Sequence, residues 1–552
     1  MAHFAASQDQ SQYRAGTLFG WPLLTIAAAA FAVVVPFFFL GTPSGHDFEF
    51  HINSWMEVRG QWRQGIFYPR WAALAHYGYG EARFIFYPPI SWFLGAALGA
   101  ILPWKTVPGA YVWLALTLSG CSMFALARGW VSRNDAVFAA VLYAANPYYI
   151  VITYWRSAFA ELLAGALLPL VLLCLMEMEQ HGRKAVILLA LIVAAGALTN
   201  VPASIMLNYS LALLAVRFAI LRRSPRILLY AAAAGALGAG LAAFFILPAF
   251  YEEKWINIAQ LLSPGVRPQD NFLFTTTADA DHNRFNLLVS MIASAELLVL
   301  MIAVFLVLKQ PRQQKHRRVL LIWSCVAGLL MFSLSEPLWQ HFPLLRFVQL
   351  PWRWLLCLNV TLVVLVTMAG KRWLWRVTAL LVMFAVLVFV WRRIQPPWWG
   401  GAADTADMVS QHQSRAGYEG TDEYVPTGAD PYNVKRDAPL VALDSGVPLP
   451  VRVQEWSPER KLFVAETSQP GKLVLRLFNY PAWQVEVNGR KVETETQDDT
   501  GQMLIPVAAG ESRVRLTFIR TWDRTLGGVV SLASAAILLL WFVRRQSTGT
   551  RT

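Results

Sequence analysis

Cysteine is scarce and badly placed for cross-linking: the 552 residues include four, at 121, 174, 325 and 357, all inside apolar runs. The polar C-terminal stretch has none, so it can build neither a disulfide framework nor a thiolate zinc site, and the redox compartment stays open. Charge is also sparse, at 15% of residues, and the 34 Asp and Glu are outnumbered by 47 Lys and Arg. The chain has no Gly-rich phosphate loop, GxSxG elbow, HExxH pair or paired CxxC, which removes the common local signatures of nucleotide, serine-hydrolase and zinc-protease chemistry. No tandem repeat is evident. The net charge of +13 does not point to nucleic acid. Its basic residues fall in short clusters between apolar runs and form no basic face on a soluble module.

What the chain has is hydrophobic length. Apolar residues make up 56% of it, with 23 Trp, which places most of the length in a bilayer. Candidate spans run roughly 17–40, 89–103, 108–127, 135–153, 158–178, 185–199, 201–220, 228–250, 286–308, 319–334, 352–369, 373–391 and 526–543. The first follows a short polar lead with Arg14 and has no small-residue cleavage pattern at its end, so it reads as a retained span. Clusters at Arg128/Arg133, Arg183/Lys184, Arg222/Arg223/Arg226, Lys309/Arg312/Lys315/Arg317/Arg318, Lys371/Arg372 and Arg544/Arg545 are assigned to the cytoplasm. Thirteen crossings cannot put both termini inside. The segment 89–103, short and bracketed by Pro88-Pro89 and Pro103, is therefore expected to be interfacial or re-entrant, leaving about twelve spans.

The expected organisation is a membrane domain over 1–393, with 41–107 as its first outer loop, then an outer β-rich domain over 394–525. A final span and tail occupy 526–552. The β assignment rests on alternation in Val485-Glu486-Val487 before Asn488-Gly489, whose residues tolerate the positive φ of a tight hairpin. Met503 to Val507 and Val514 to Phe518 also alternate, which predicts a small antiparallel sandwich.

The chemistry is sought first in 45–90, too polar for a span and too aromatic for a plain linker. It sets His46, Asp47, Glu49 and His51 at the mouth of a hydrophobic span. Treated as a helix, 48–66 gathers Phe48, Ile52, Trp55, Met56, Trp62 and Ile66 into a stripe about 120° wide, suited to lying in the interface plane. Arg59 and Arg63 fall on that stripe, where they either snorkel or hold the phosphate of a lipid-linked substrate. Asp47 has two readings: a helix N-cap, or a general base whose pKa is raised by partial burial. The two carboxylates and two histidines can also bind a divalent cation, although the signal has no defined geometry.

Arg156 and Glu161 flank another outer turn and form either a salt-bridged snorkelling pair or a second set of contacts facing the same cavity. Arg346 and Arg353 lie beside Trp352 and Trp354 at an outer interface, where an anionic headgroup would dock. Tyr251 to Trp255 and Asp279/Asp281/His282 read mainly as solvated loops.

These residues carry a resemblance. HDFEFH (46–51), GIFYPRW (65–71), GYG (78–80), FYPP (86–89), NPYYI (146–150), YWRSAFAELLAGALLPL (154–170), LPAFYEEKW (247–255), QLPWRW (349–354) and YEGTDEYVP (418–426) run nearly the whole chain. In this order they resemble the bacterial 6-pyruvoyl-tetrahydropterin synthase-related membrane proteins, which are similar to YfhO-like proteins and to type C (GT-C) membrane glycosyltransferases. The resemblance implies a polytopic helical membrane protein of the bacterial inner membrane, with its site and β-domain extracytoplasmic. It implies inverting transfer of a sugar from a polyprenyl-phosphate donor to an envelope glycan, lipid or protein acceptor, with no cofactor required for certain. Asp47, seconded by Glu49, would serve as base, and Arg59, Arg70, Arg156, Arg346 and Arg353 would hold the phosphate. His46, His51, Glu161, Tyr418 and Glu419 would line the acceptor cavity. The competing reading is a non-catalytic transporter or accessory protein of lipid-linked glycan assembly.

Overall fold

A computed structural model describes residues 18–310, 314–370 and 373–546; Arg14, Arg312, Lys371 and Arg372 of the basic clusters lie outside the described residues. Among the described residues, nine helices are long and apolar enough to cross a membrane, from Trp21–Leu40 to Trp522–Val543. Two further pairs, Arg226–Leu241 with Ala243–Trp255 and Arg317–Leu329 with Ser333–His341, pass the same test but bend by 73° and 94°. With the shorter Lys184–Thr199, these helices stand where the twelve expected spans were placed. Pro89–Ile101 is a helix of 13 residues, about 20 Å long against a hydrocarbon core of about 30 Å. It buries a small-residue face, with Gly95 set against the Trp55 ring.

The C-terminal strands form two antiparallel sheets. The smaller orders Val441–Leu443, Gly471–Phe478, Gln502–Val507 and Glu495–Thr496; the larger orders Val451–Trp456, Arg460–Thr467, Gly510–Phe518, Trp483–Val487 and Arg490–Val492. Asn488 (φ 52°) and Gly489 (φ 80°) make the expected hairpin turn. Alternate residues of Gly510–Phe518 are buried, as a one-sided strand requires. A helix at Ala402–Ser414, which no apolar period announced, precedes the strands.

The sandwich does not close on itself alone. Trp71, Tyr79, Ile85 and Phe86 of the first polar loop share a core with Phe463, Leu475, Trp483 and Phe518. Thr42–Pro43 pairs with Trp399–Gly400 at the loop's start. Glu252, read as a solvated loop residue, is instead fully buried and accepts bonds from both Nε and Nη2 of Arg524 at 2.7 Å and from Tyr480 at 2.6 Å. This bidentate pair locks one bent helix to the last span, with two ionised groups satisfying one another where water is excluded. Asp279 remains at the surface, where its Oδ1 caps the helix Ala280–Leu308.

The helix Phe48–Trp62 departs from the expected interfacial helix. It is buried on nearly every side, including its polar His51, Asn53, Ser54, Glu57 and Gln61. The reason is tertiary: Ala402–Ser414 and Tyr418 cover polar residues of the helix, His412 meeting Asn53 at 3.0 Å and Tyr418 bonding Glu57.

Candidate functional site

The NPYYI motif begins a short helix, Pro147–Val151, in which Asn146 accepts from the Tyr149 amide and Pro147 starts the first turn. A π-helical turn, Ile152–Arg156, then ends on Ser157 in the left-handed region (φ 52°) before a new helix, Phe159–Ala164. The break matters because it brings Arg156 and Glu161 face to face, five residues apart in one chain. Arg156 Nη1 donates to Glu161 Oε2. Tyr148 Oη donates to Glu161 Oε1 at 2.6 Å, and Arg353 Nε donates to Oε2 at 3.0 Å. One carboxylate thus carries two guanidinium groups, and all three side chains are at most 9% exposed.

Arg353 is aimed from its other side. Pro351 opens the turn Pro351–Trp354, Gln349 is held at φ 64°, and Arg353 Nη1 donates to Val348 O and Gln349 Oε1 at 2.7 and 3.0 Å. Arg156 also lies over the Trp352 ring at 5.1 Å. Two non-glycine residues at positive φ beside one charged cluster are a strain pattern typical of working sites.

Asp47 completes the cluster, and its geometry separates the two readings of it. It stands at the N-cap position of Phe48–Trp62 but makes no side-chain cap bond. Its Oδ2 instead accepts from Arg156 Nη2 at 3.3 Å, and its backbone amide donates to Arg156 O at 2.8 Å. That amide bond, with Gly45 N donating to Ser157 Oγ at 3.0 Å, fixes the loop against the broken helix. Gly45 is needed for the approach, since a Cβ there would collide with the Trp155 carbonyl. The Asp47 side chain is 38% exposed, so the cluster runs from a buried interior at Glu161 to an open mouth at Asp47.

The other expected site residues sort differently. His46 is exposed at the mouth, against Phe285 and Trp398 with ring centroids at 4.8 and 5.4 Å. His51 is buried among Phe50, Trp55, Tyr87 and Phe159, and burial pulls it down to about 4, so it is neutral near pH 7. Glu49 is exposed. Among the described residues no three His, Cys, Asp or Glu side chains converge as a metal site, and the four acidic and histidine residues of this loop do not do so.

The five arginines expected to act together do not gather in one place: Arg156 and Arg353 meet, and the other three stand elsewhere. Arg59 lies over Trp104 at 5.5 Å, toward the far end of its helix. Arg70 lies with Arg520 and Arg524 in a cavity of about 150 Å³ beside Phe244. Arg346 is exposed, with its guanidinium over Phe347 at 5.1 Å.

Tyr418 is also elsewhere, while Glu419 is exposed. Tyr418 Oη donates to Glu57 Oε2 at 2.6 Å, inside a second buried cluster that clasps 418–424 to the first loop. There Glu81 accepts from Arg83 Nε at 2.5 Å and from Thr421 N at 2.8 Å, and meets His76 Nε2 at 2.9 Å. The Arg83 guanidinium beside Glu81 holds its carboxyl down at about 2 against the upward push of burial. Glu57 goes the other way: burial pushes it up to about 7 despite bonds from Tyr418 and the Leu74 amide. A carboxyl raised in the folded state contributes stability below its unfolded value that is lost as pH rises through the folded one. Wild-type thermal stability is therefore expected to fall, relative to Glu57→Gln, by about 2–3 kcal/mol between pH 4.5 and 7.5. Parallel pH dependence of the two melting curves would refute this.

Several residues of the two clusters escaped notice in the sequence. Glu296, at 0% exposure in Ala280–Leu308, accepts from Tyr148 N at 3.2 Å and Asn359 Nδ2 at 2.7 Å, supporting the residue that supports Glu161. A lone carboxylate inside an apolar span was the available signal. Tyr148 and Gln349 were visible only as members of the NPYYI and QLPWRW motifs, and Glu57 offered no signal because its partner Tyr418 is 361 residues away.

A family model described as the 6-pyruvoyl-tetrahydropterin synthase related domain, a membrane protein family, matches residues 84–396, more than half of the chain. The chain belongs to that family. Of the motifs above, NPYYI, the Arg156/Glu161 break and QLPWRW lie inside the matched region, whereas Asp47 precedes it. No curated protein matches the chain. Among solved structures, it is similar to the arabinofuranosyltransferase AftD from Mycobacteria, with 17% identity and a TM-score of 0.45 over 71% of this chain and 29% of that one. It is also similar to the archaeal oligosaccharyltransferase AglB from Archaeoglobus fulgidus, with 12% identity and a TM-score of 0.41 over 74% of this chain and 61% of that one. The chain thus spans about 29% of AftD's length.

Proposed function

We propose that this membrane protein is a glycosyltransferase that moves a sugar from a polyprenyl-phosphate donor to an envelope glycan, lipid or protein acceptor. The reading places the reaction on the extracytoplasmic face of a bacterial inner membrane. The observation that carries it is Asp47: a half-open carboxylate, spared from helix capping, held at the mouth of a buried arginine pair. Family membership agrees with the membrane setting of this reading.

In this reading Asp47 takes the proton of the acceptor hydroxyl as that oxygen attacks the sugar C1. The bond from C1 to the phosphate oxygen breaks with its electron pair, and the configuration at C1 inverts. Polyprenyl phosphate leaves as an anion. Arg353 and Arg156 would stabilise it, because once Asp47 has taken the proton Glu161 neutralises only one of their two charges, and it fixes both guanidinium groups before the reaction begins. The low-dielectric surroundings of Glu161 strengthen that field.

The test is turnover. Purified protein reconstituted in lipid is given a panel of polyprenyl-phosphate sugars with glycan, lipid and peptide acceptors, and the product anomer is read by NMR. Transfer with inversion from at least one donor is the expected result. Retention of configuration would remove Asp47 as base, and absence of turnover across the panel would favour a non-catalytic accessory or transport role.

A further inference from the structure

A cavity of about 350 Å³ lies away from Asp47. It opens between the far end of Phe48–Trp62, the helix Ala402–Ser414 and the edge of the sandwich at Trp456–Lys461. Asp47 and Arg59 sit at opposite ends of one helix, about 18 Å apart by helical rise.

Its lining is charged in one direction. Arg59, Arg63, Arg415, Lys461 and Arg476 all face it, and none is ion-paired to a carboxylate among the described residues. Their contacts are carbonyls and rings: Arg415 with Trp456 O at 3.4 Å, Lys461 with Ser457 O at 2.5 Å, and Arg476 Nε with Tyr77 O at 2.8 Å. The one carboxyl in the lining, Glu57, is already engaged by Tyr418 and the Leu74 amide. Burial and the Arg415 charge together pull Lys461 down to about 7, against the weaker upward pull of Glu455, Glu57 and Glu459.

The lining is also aromatic and partly unsatisfied. Trp104 and Trp456 contribute half-buried indoles, the first beneath Arg59 and the second beneath Lys461. Gln61, 1% exposed, has its Oε1 buried with no hydrogen-bond partner. Surplus guanidinium groups recognise carboxylate or phosphate, indoles offer flat faces to ring carbons, and a free amide oxygen accepts from a hydroxyl.

We propose that this cavity binds an anionic saccharide, a sugar bearing carboxylate or phosphate, at a site separate from the Asp47 cluster. Binding itself is independent of the transferase reading. Only the further role of holding a chain whose end reaches Asp47 rests on that reading.

The probe is a galacturonate tetrasaccharide, titrated against the full chain in nanodiscs of zwitterionic lipid, with maltotetraose as the neutral control. The uronate is expected to bind at least about 10-fold more tightly than maltotetraose and to weaken steeply as salt rises from about 50 to 300 mM. Arg59→Ala and Arg415→Ala should each weaken it about 10-fold, since both side chains are partly or fully exposed and can be truncated without opening a core. Asp47→Asn should bind it like wild type, so that loss of transfer and loss of binding can be told apart. Equal affinity for the neutral sugar, or uronate binding insensitive to both arginine variants, would overturn the proposal. Retention of phosphatidylglycerol that depends on Arg59 and excludes the uronate would overturn it too, by assigning the charge to a lipid headgroup.

Discussion

Asp47→Asn is expected to lower the transfer rate about 10²–10⁴-fold, the contribution of a positioned general base, while the protein stays folded. The substitution keeps the shape of the side chain and an oxygen that can accept from Arg156 Nη2, now 3.3 Å away. It removes the ability to take a proton. The stability cost should be under about 1 kcal/mol, because the Asp47 side chain is 38% exposed and its ion pair is screened by water. Initial rates from lipid-linked donor, paired with melting curves of the same preparations, separate the two effects. Wild-type activity in this variant would remove Asp47 from the reaction even if the protein proves to be a transferase.

Glu161→Gln should act in the opposite way, on the fold before the chemistry. Two guanidinium groups share this carboxylate, with Arg353 Nε at 3.0 Å, and the three side chains are between 1% and 9% exposed. Losing the charge leaves two buried cations with only the part-exposed Asp47 beside Arg156 to offset them, and breaking such a pairing costs about 3–5 kcal/mol. Tyr148 would also lose the charged acceptor it meets at 2.6 Å. The expected readout is a markedly lower melting temperature in detergent, with faster amide exchange over 147–164. A melting temperature equal to wild type would show that Arg156 and Arg353 find other partners, and the preorganised anion site inferred above would lose its basis. Arg346→Ala provides the contrast, since Arg346 is exposed and stands apart from the Glu161 pairing.

The loop at 45–90 was visible in the sequence as the place to look, because its polar residues interrupt an otherwise apolar chain. Its detailed reading was not. Periodicity assigned Arg59 and Arg63 to a lipid-facing stripe, but the segment 402–424 packs over the helix. Spacing also could not choose between capping and catalysis for Asp47, since both use the same position before a helix. The capping reading falls to Arg156, 109 residues away, which takes the carboxylate instead. Tyr418 was legible as part of a motif, yet its hydroxyl serves Glu57 across 361 residues.

By itself the sequence determined the place of the apolar helices, because a bilayer demands long uninterrupted runs whose backbone bonds are satisfied within each segment. It likewise determined the Asn488-Gly489 hairpin, whose two positive φ values are a local requirement. Only the tertiary structure decided which charges meet: Asp47 with Arg156, Glu161 with two arginines, Arg59 and Arg70 in separate cavities. The physical reason is that a buried charge is stabilised by partners within a few ångströms. Such distances between remote segments are set by how the helices pack, and no local pattern of residues records them.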